Sequence, residues 1–482
     1  MTPTFPLSFA QQGLLRADRL RTGPDGLPTG RGHVLGRCYD VDGDLRLAAL
    51  RHALAAVVRR HAALRTVFRA TPDGPVQRVG PAGPVPLRIV DHSDRPALFA
   101  GALAEAERAV LAPFDLVGGP PVRFLVLRLA PRRHLFAVAV HPLVGDGRSI
   151  EIILRDLGLG YLRALADGPT RLPEPAIGYL DWVVWQRHQL CGIRRADLRA
   201  WWRSALADVP RVLDLAAPLP RRTGPRVRGG RLGVPLPAAT RHAVHALASR
   251  ERATPSAVLL AGYAALLARY AGVRRLLVGI PVANREYPRT AEVVGRFVDT
   301  LPVPVDLTGA PTFAELVRRT RRAMVGVLEH QDLPFEQLVA DLAPARDGDR
   351  PPLVQVCFGH RTADAPAGTL TLPSCTVTEI PLDTGGATFE LTLSVDESTA
   401  DGTVSVEYDA DRFTASFVGG LLRAYPVLLD AATDAPGTAV AELPPLPART
   451  PGASGPASSP AAGIRSPATG QAAAAGRRLL DG

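Results

Sequence analysis

LFAVAVHPLVGDGRSIEIILRDLGLGYLRAL, residues 135–165, decides how this chain folds. It opens as an apolar strand that ends in His141. A short loop containing Gly145, Asp146 and Gly147 follows, and Ile150, Ile153 and Leu157 then fall on one face of a helix. Ser149 is the expected N-cap of that helix. A strand, a tight loop and a helix in this order are a unit of an α/β fold. A histidine and an aspartate at the turn between them are a candidate acid/base pair. Alone, a strand-end histidine is more often a hydrogen-bonded structural residue.

Working outward, 122–129 is a second β-rich run close to the first, and RTVFRA (65–70) alternates as a strand. Leu47, Leu50, Leu54, Val57 and Val58 have helical spacing. GPTRLPEP (168–175) reads as a connector. Beyond it, a Trp-rich helix is expected over 179–206. Thr254 and Pro255 then form an N-cap with proline at the first helical position, ahead of the apolar helix SAVLLAGYAALLARY. LLVGIPV (276–282) reads as a buried strand. Thr312 and Glu315 make a capping box for a helix to about Glu329. Strands are expected at 353–360, 388–395 and 403–408, and a last helix over 414–430. The expectation is an α/β (α+β type) chain with a first lobe at 1–170 and a second at 177–446. Residues 447–482 are rich in Ala, Gly, Pro and Ser and cannot bury enough apolar surface to order, so a disordered tail is expected there.

Composition narrows the function. The net charge is +10, and all 56 basic residues are arginine. Without lysine there is no Schiff-base nucleophile and no Walker-type phosphate loop. The arginines are scattered and accompany no nucleic-acid motif, so nucleic acid is not an expected partner. Cys38, Cys191, Cys357 and Cys375 form no CxxC pair and no zinc spacing, which predicts reduced core thiols and no metal. No apolar run approaches the roughly 20 residues that span a bilayer. The N-terminus lacks the pattern of a signal peptide. The chain is expected to be cytoplasmic and free of membrane.

Ten short stretches, taken in order, resemble the motifs of the condensation domains of nonribosomal peptide synthetases. They are LSFAQQGLL (7–15), RHAALRTVF (60–68), FDLVGGPPVR (114–123), HPLVGDG (141–147), YLDWVVWQ (179–186), GIPVANR (279–285), VGRFVDTLPV (294–303), HQDLPFEQLV (330–339), FELTLSV (389–395) and EYDADRF (407–413). The resemblance implies two lobes of the chloramphenicol-acetyltransferase type set in a V around a central tunnel, with the HHxxxDG loop at its centre. It implies an acyltransferase of secondary-metabolite and antibiotic biosynthesis, which joins a carrier-bound acyl or aminoacyl thioester to an amine or hydroxyl. No bound cofactor is expected. The phosphopantetheine arms of acyl or peptidyl carrier proteins, met in trans by a free-standing chain, would deliver the substrates.

HPLVGDG departs from that motif. Counting back from Asp146 and Gly147, His141 takes the first histidine position, and Pro142 stands where the family keeps its catalytic histidine. Proline has neither a side-chain proton acceptor nor an N–H. A one-residue slip would turn His141 to the opposite face, because strand side chains alternate. His360, at the end of LVQVCFGH, is a second candidate base. Asp146, being beside a glycine in a buried turn, needs a charged partner. The family geometry implies Arg285, with Arg65 as the alternative. Gly147 allows close approach of a phosphopantetheine arm. Trp182 and Trp185 are expected in the core, and His330 and Glu336 in a loop that shapes the lobe interface. Two readings stay open: acyltransfer by another group or by positioning, and a catalytically inactive scaffold that binds carrier proteins or recruits a tailoring enzyme.

Overall fold

Val122–Ala130 and Arg133–Val140 pair as an antiparallel hairpin, which ends one residue short of His141. Seven consecutive residues from His134 to Val140 are buried, as in a strand covered on both faces. In this computed structural model, which describes residues 3–17, 34–93, 99–166, 168, 171–215, 217–219, 228–342, 350–362, 370–382, 386–398 and 401–444, the hairpin lies inside a five-stranded sheet. Its spatial order is Cys375–Ile380, Leu35–Gly43, Arg133–Val140, Val122–Ala130, Leu87–Asp91. Helix Phe99–Leu111 packs on the hairpin, and helices Leu47–Arg60 and Gly147–Leu165 pack on each other over the same apolar core.

One edge strand comes from far along the chain. Cys375–Ile380 pairs antiparallel with Leu35–Gly43, and Leu370 and Leu372 just before it are buried in this first core. A small sheet of Phe5–Pro6, Val76–Val79 and Thr66–Arg69 stands beside it.

The second core surrounds a six-stranded sheet in the order Asp299–Asp306, Arg275–Val282, Val356–Arg361, Leu391–Asp396, Thr403–Asp409, Gly229–Pro235. The second, third and fourth of these run parallel and so end on one edge. Helix Pro255–Ala271 is buried nearly all round, as its unbroken apolar sequence requires. Thr254 caps it, accepting from Ala257 N–H. Helices Ala238–Arg250, Phe313–Glu329 and Ala415–Asp434 surround it. Thr312 caps Phe313–Glu329 by accepting from Glu315 N–H, while the Glu315 carboxylate pairs with Arg318 and Arg319.

Four expectations need correction or placing. Asp146, not Ser149, is the N-cap: its carboxylate accepts from Ser149 N–H, and the helix begins at Gly147. The Trp-rich helix is two helices, Tyr179–Gln189 and Gly192–Ala205, because Gly192 takes a left-handed φ of +59° that breaks the first. Cys191 is exposed rather than in the core, whereas burial pushes the Cys38 and Cys357 thiols up to about 12 and keeps them protonated. The expected tail, 447–482, lies outside the described residues. No helix among the described residues is long and apolar enough to cross a membrane.

Candidate functional site

His141 follows its strand directly, with both backbone and ring committed. Its N–H donates to Pro121 O at 2.9 Å, and its Nδ1 accepts from Leu143 N–H at 3.1 Å. The ring meets Phe114 edge-on at 5.7 Å. The residue is 4% exposed, and burial, reinforced by the nearby Arg296 charge, pushes its pKa down to about 3. It is neutral at pH 7 and a weak proton acceptor. Pro142, also buried, presents only its carbonyl, which accepts from Arg296 Nη1 at 3.4 Å.

Asp146 ties this loop to the second core. Its Oδ1 accepts from Ser149 N–H and lies 2.8 Å from Ser149 Oγ. Its Oδ2 accepts from Phe297 N–H at 3.0 Å and Val298 N–H at 3.3 Å. Arg285 Nη2 stands 3.1 and 3.2 Å from the two oxygens. Arg285 itself donates to Thr290 O and Val293 O and lies 4.0 Å over the Phe297 ring. Burial lowers the pKa of this guanidinium, and the Asp146 charge opposes that shift. A buried carboxylate with this many donors is a structural anchor. Arg65 is elsewhere, donating to Val58 O, Arg59 O and Gly80 O.

Of the residues that complete the seam, Gly295, Tyr179 and Ser8 lie inside the motif strings without a signal of their own, and Ser149 follows HPLVGDG by two positions. Ser149 Oγ accepts from Gly295 N–H at 3.1 Å and lies 2.9 Å from Gly295 O. A Cβ at Gly295 would fall 2.0 Å from the Tyr179 ring, so only glycine allows this approach. Tyr179 OH donates to Arg296 O at 2.7 Å and lies 3.0 Å from Ser8 Oγ. Gly147 is exposed, and a Cβ there would meet open space.

The aromatic residues divide. Trp182 is buried against Tyr179 and Phe297, but Trp185 is 36% exposed and packs on Tyr287 at the surface, contrary to the expected core position. His330 stacks on Trp201 at 3.9 Å and its Nδ1 bonds Gly326 O. His360 is not part of the Asp146 cluster. Its Nδ1 is 2.7 Å from Ser256 Oγ and its Nε2 is 3.3 Å from Glu397 Oε2.

Comparison with known proteins agrees with this architecture. The condensation-domain family model matches residues 1–450. The phosphinothricin tripeptide synthetases PhsB and PhsC of Streptomyces viridochromogenes are 40% and 34% identical, each over 92% of this chain. The chain spans 37% and 40% of the length of those two relatives. Among solved structures, the X-domain from teicoplanin biosynthesis superposes with a TM-score of 0.82 at 26% identity, covering 92% of this chain and 97% of that one. The first condensation domain of the calcium-dependent antibiotic synthetase shares the fold, with a TM-score of 0.75 at 22% identity, over 92% of this chain and 99% of its own. With the Asp146 seam built from the motif residues and the family model matching nearly the whole chain, this protein belongs to the condensation-domain family, on the chloramphenicol-acetyltransferase type of fold.

Proposed function

We propose that this chain is a condensation-type binding module of peptide-antibiotic assembly, whose HPLVGDG loop supplies no general base. Condensation domains work on substrates carried by phosphopantetheine arms, and a carrier protein or a tailoring enzyme is the partner of this reading. One observation carries it. Pro142 occupies the position of the family base, and the adjacent imidazole, neutral and committed through Nδ1 to Leu143 N–H, does not replace it. General-base assistance is worth about 10²–10⁴ in rate. The likeness to the teicoplanin X-domain supports the same reading, since that domain has been solved in complex with OxyB, at 26% identity and a TM-score of 0.81 to this chain.

A second reading is acyltransfer by positioning alone, which is able to supply a large share of a rate enhancement. Two observations favour it: the intact Asp146–Arg285 seam, and the 40% identity to a peptide synthetase. Incubation with a loaded donor carrier and a set of amine and hydroxyl acceptors, followed by mass spectrometry of products, separates the two. The binding reading expects retained carrier or enzyme binding and no product from the wild type. Condensation product at a rate well above the uncatalysed control would replace it with the second.

A further inference from the structure

The parallel strands Arg275–Val282, Val356–Arg361 and Leu391–Asp396 end on one edge of the second sheet. Arg285 leaves that edge from the first strand to reach Asp146. One and two strands further along, His360 is the penultimate residue of the second strand and Glu397 follows the third. Neighbouring strands lie about 4.8 Å apart, so these groups stand on the order of 10 Å along the same edge.

Here three side chains form a relay. Ser256, half-buried, is the second residue of helix Pro255–Ala271. Its Oγ is 2.7 Å from His360 Nδ1, and His360 Nε2 is 3.3 Å from Glu397 Oε2. The His360 and Glu397 side chains are 3% and 4% exposed. His245, half exposed on helix Ala238–Arg250, places its Nε2 3.1 Å from the same Glu397 oxygen. His360 Nε2 lies at ion-pair distance from the carboxylate but makes no hydrogen bond in this geometry, so a small rotation of the ring or of Glu397 would be needed to align them. The tautomer protonated at Nε2 leaves Nδ1 to accept from the Ser256 hydroxyl. A hydroxyl, an imidazole and a buried carboxylate in this succession have the roles of nucleophile, base and orienting group.

We propose that Ser256 is a nucleophile, activated by His360 and oriented through Glu397, that takes the acyl group of a thioester or activated ester. This goes beyond the binding reading and rests on neither function proposed above. In the acylation step Ser256 Oγ forms a bond to the carbonyl carbon, and its proton passes to His360 Nδ1. The carbon–sulfur bond breaks, and the departing thiolate takes that proton. In deacylation water attacks the acyl-serine ester, gives its proton to His360, and Oγ recovers a proton as the carboxylic acid leaves. Thioester and water go to acid and thiol. Two features support the assignment. Ser256 stands in the first turn of a 17-residue helix, where the dipole favours developing negative charge. Burial holds His360 below its ordinary pKa against the opposing pull of Glu397, so it is a neutral acceptor at pH 7.

The test uses the full chain and a fluorophosphonate probe, with the adduct located by peptide mapping. The expected result is a single adduct on Ser256, formed about 100-fold or more slowly in His360→Gln at an unchanged melting temperature. An intermediate rate is expected for Glu397→Gln. Mapping the wild type keeps the test valid even where Ser256→Ala does not fold. No adduct at Ser256, an adduct at another serine instead, or an unchanged rate in His360→Gln would each overturn the proposal. In a second arm, an acyl N-acetylcysteamine thioester should release free thiol with wild type and not with Ser256→Ala. Labelling without thiol release would overturn the thioester assignment.

Discussion

His141 and His360 both stand at the ends of sheet strands, one just past and one just before the last residue, and their surroundings treat them in opposite ways. His141 has a backbone N–H on its Nδ1, an aromatic edge beside it, and a guanidinium nearby. His360 has a hydroxyl on one nitrogen and a carboxylate facing the other. Burial lowers the proton affinity of both. Only for His360 does a negative group resist that shift and give a transferred proton a stabilised place. Position at a strand end therefore does not make a histidine a base; its partners do. The motif loop holds the halves of the molecule together, and the relay chemistry lies along the sheet edge.

The largest expected effect tests the first half of this contrast. If the loop is an anchor, Asp146→Ala should cost about 3–5 kcal/mol in denaturant unfolding, because it leaves Arg285 buried without its charge partner. A loss under about 1 kcal/mol, the range of exposed pairs, would mean the seam is open to solvent.

The second effect concerns His141 as a buried neutral group. Its folded pKa, about 3, lies below the ordinary 6.5. Its contribution is therefore fully present above pH 6.5 and is lost as pH falls toward 3, because the unfolded chain binds the proton first. By pH 4 that loss amounts to about 3 kcal/mol. His141→Asn, whose side-chain oxygen is able to accept from Leu143 N–H, should flatten this limb of the stability profile. Parallel pH profiles for the two proteins would show that His141 titrates normally in the fold, and the contrast with His360 would vanish.

The smallest effect is at Pro142. His141 precedes a proline and is already biased toward extended backbone, so histidine fits at 142. Pro142→His should lower stability by only about 0.4–1 kcal/mol, through the freer unfolded chain. If the missing base is what silences the loop, this variant alone should gain condensation product in the carrier assay. A wild type and variant that turn over equally would show that the base is irrelevant to this site.

Much of the fold was legible locally. Thr254 and Pro255, the hairpin at 122–140, and the helix after Asp146 follow from short-range rules, and the structure shows each. The break at Gly192 was missed because the apolar and tryptophan pattern continues across it, although the glycine was there to be read. Residues 375–380 and 229–235 gave no strong strand signal. The first, CTVTEI, is short and interleaves its threonines with cysteine, valine and glutamate rather than with a run of apolar residues, and the second is rich in glycine; each is recruited by its partner strand. The importance of Asp146 came from motif resemblance, whereas three of its five donors, on Arg285, Phe297 and Val298, come from segments far along the sequence. His360 and Glu397 meet through the parallel pairing of two strands, and Ser256 through the helix Pro255–Ala271 packed on that sheet, which no local pattern encodes.

The strand Cys375–Ile380 sets a schedule for synthesis. Leu35–Gly43 leaves the ribosome long before its outer partner exists, and at roughly 5–20 residues per second the delay is on the order of tens of seconds. For that interval the first sheet has an open edge with unpaired amides. A nascent chain stalled between the two strands, or a fragment cut there, would offer that edge to any neighbouring copy. The completed protein closes it with its own later sequence.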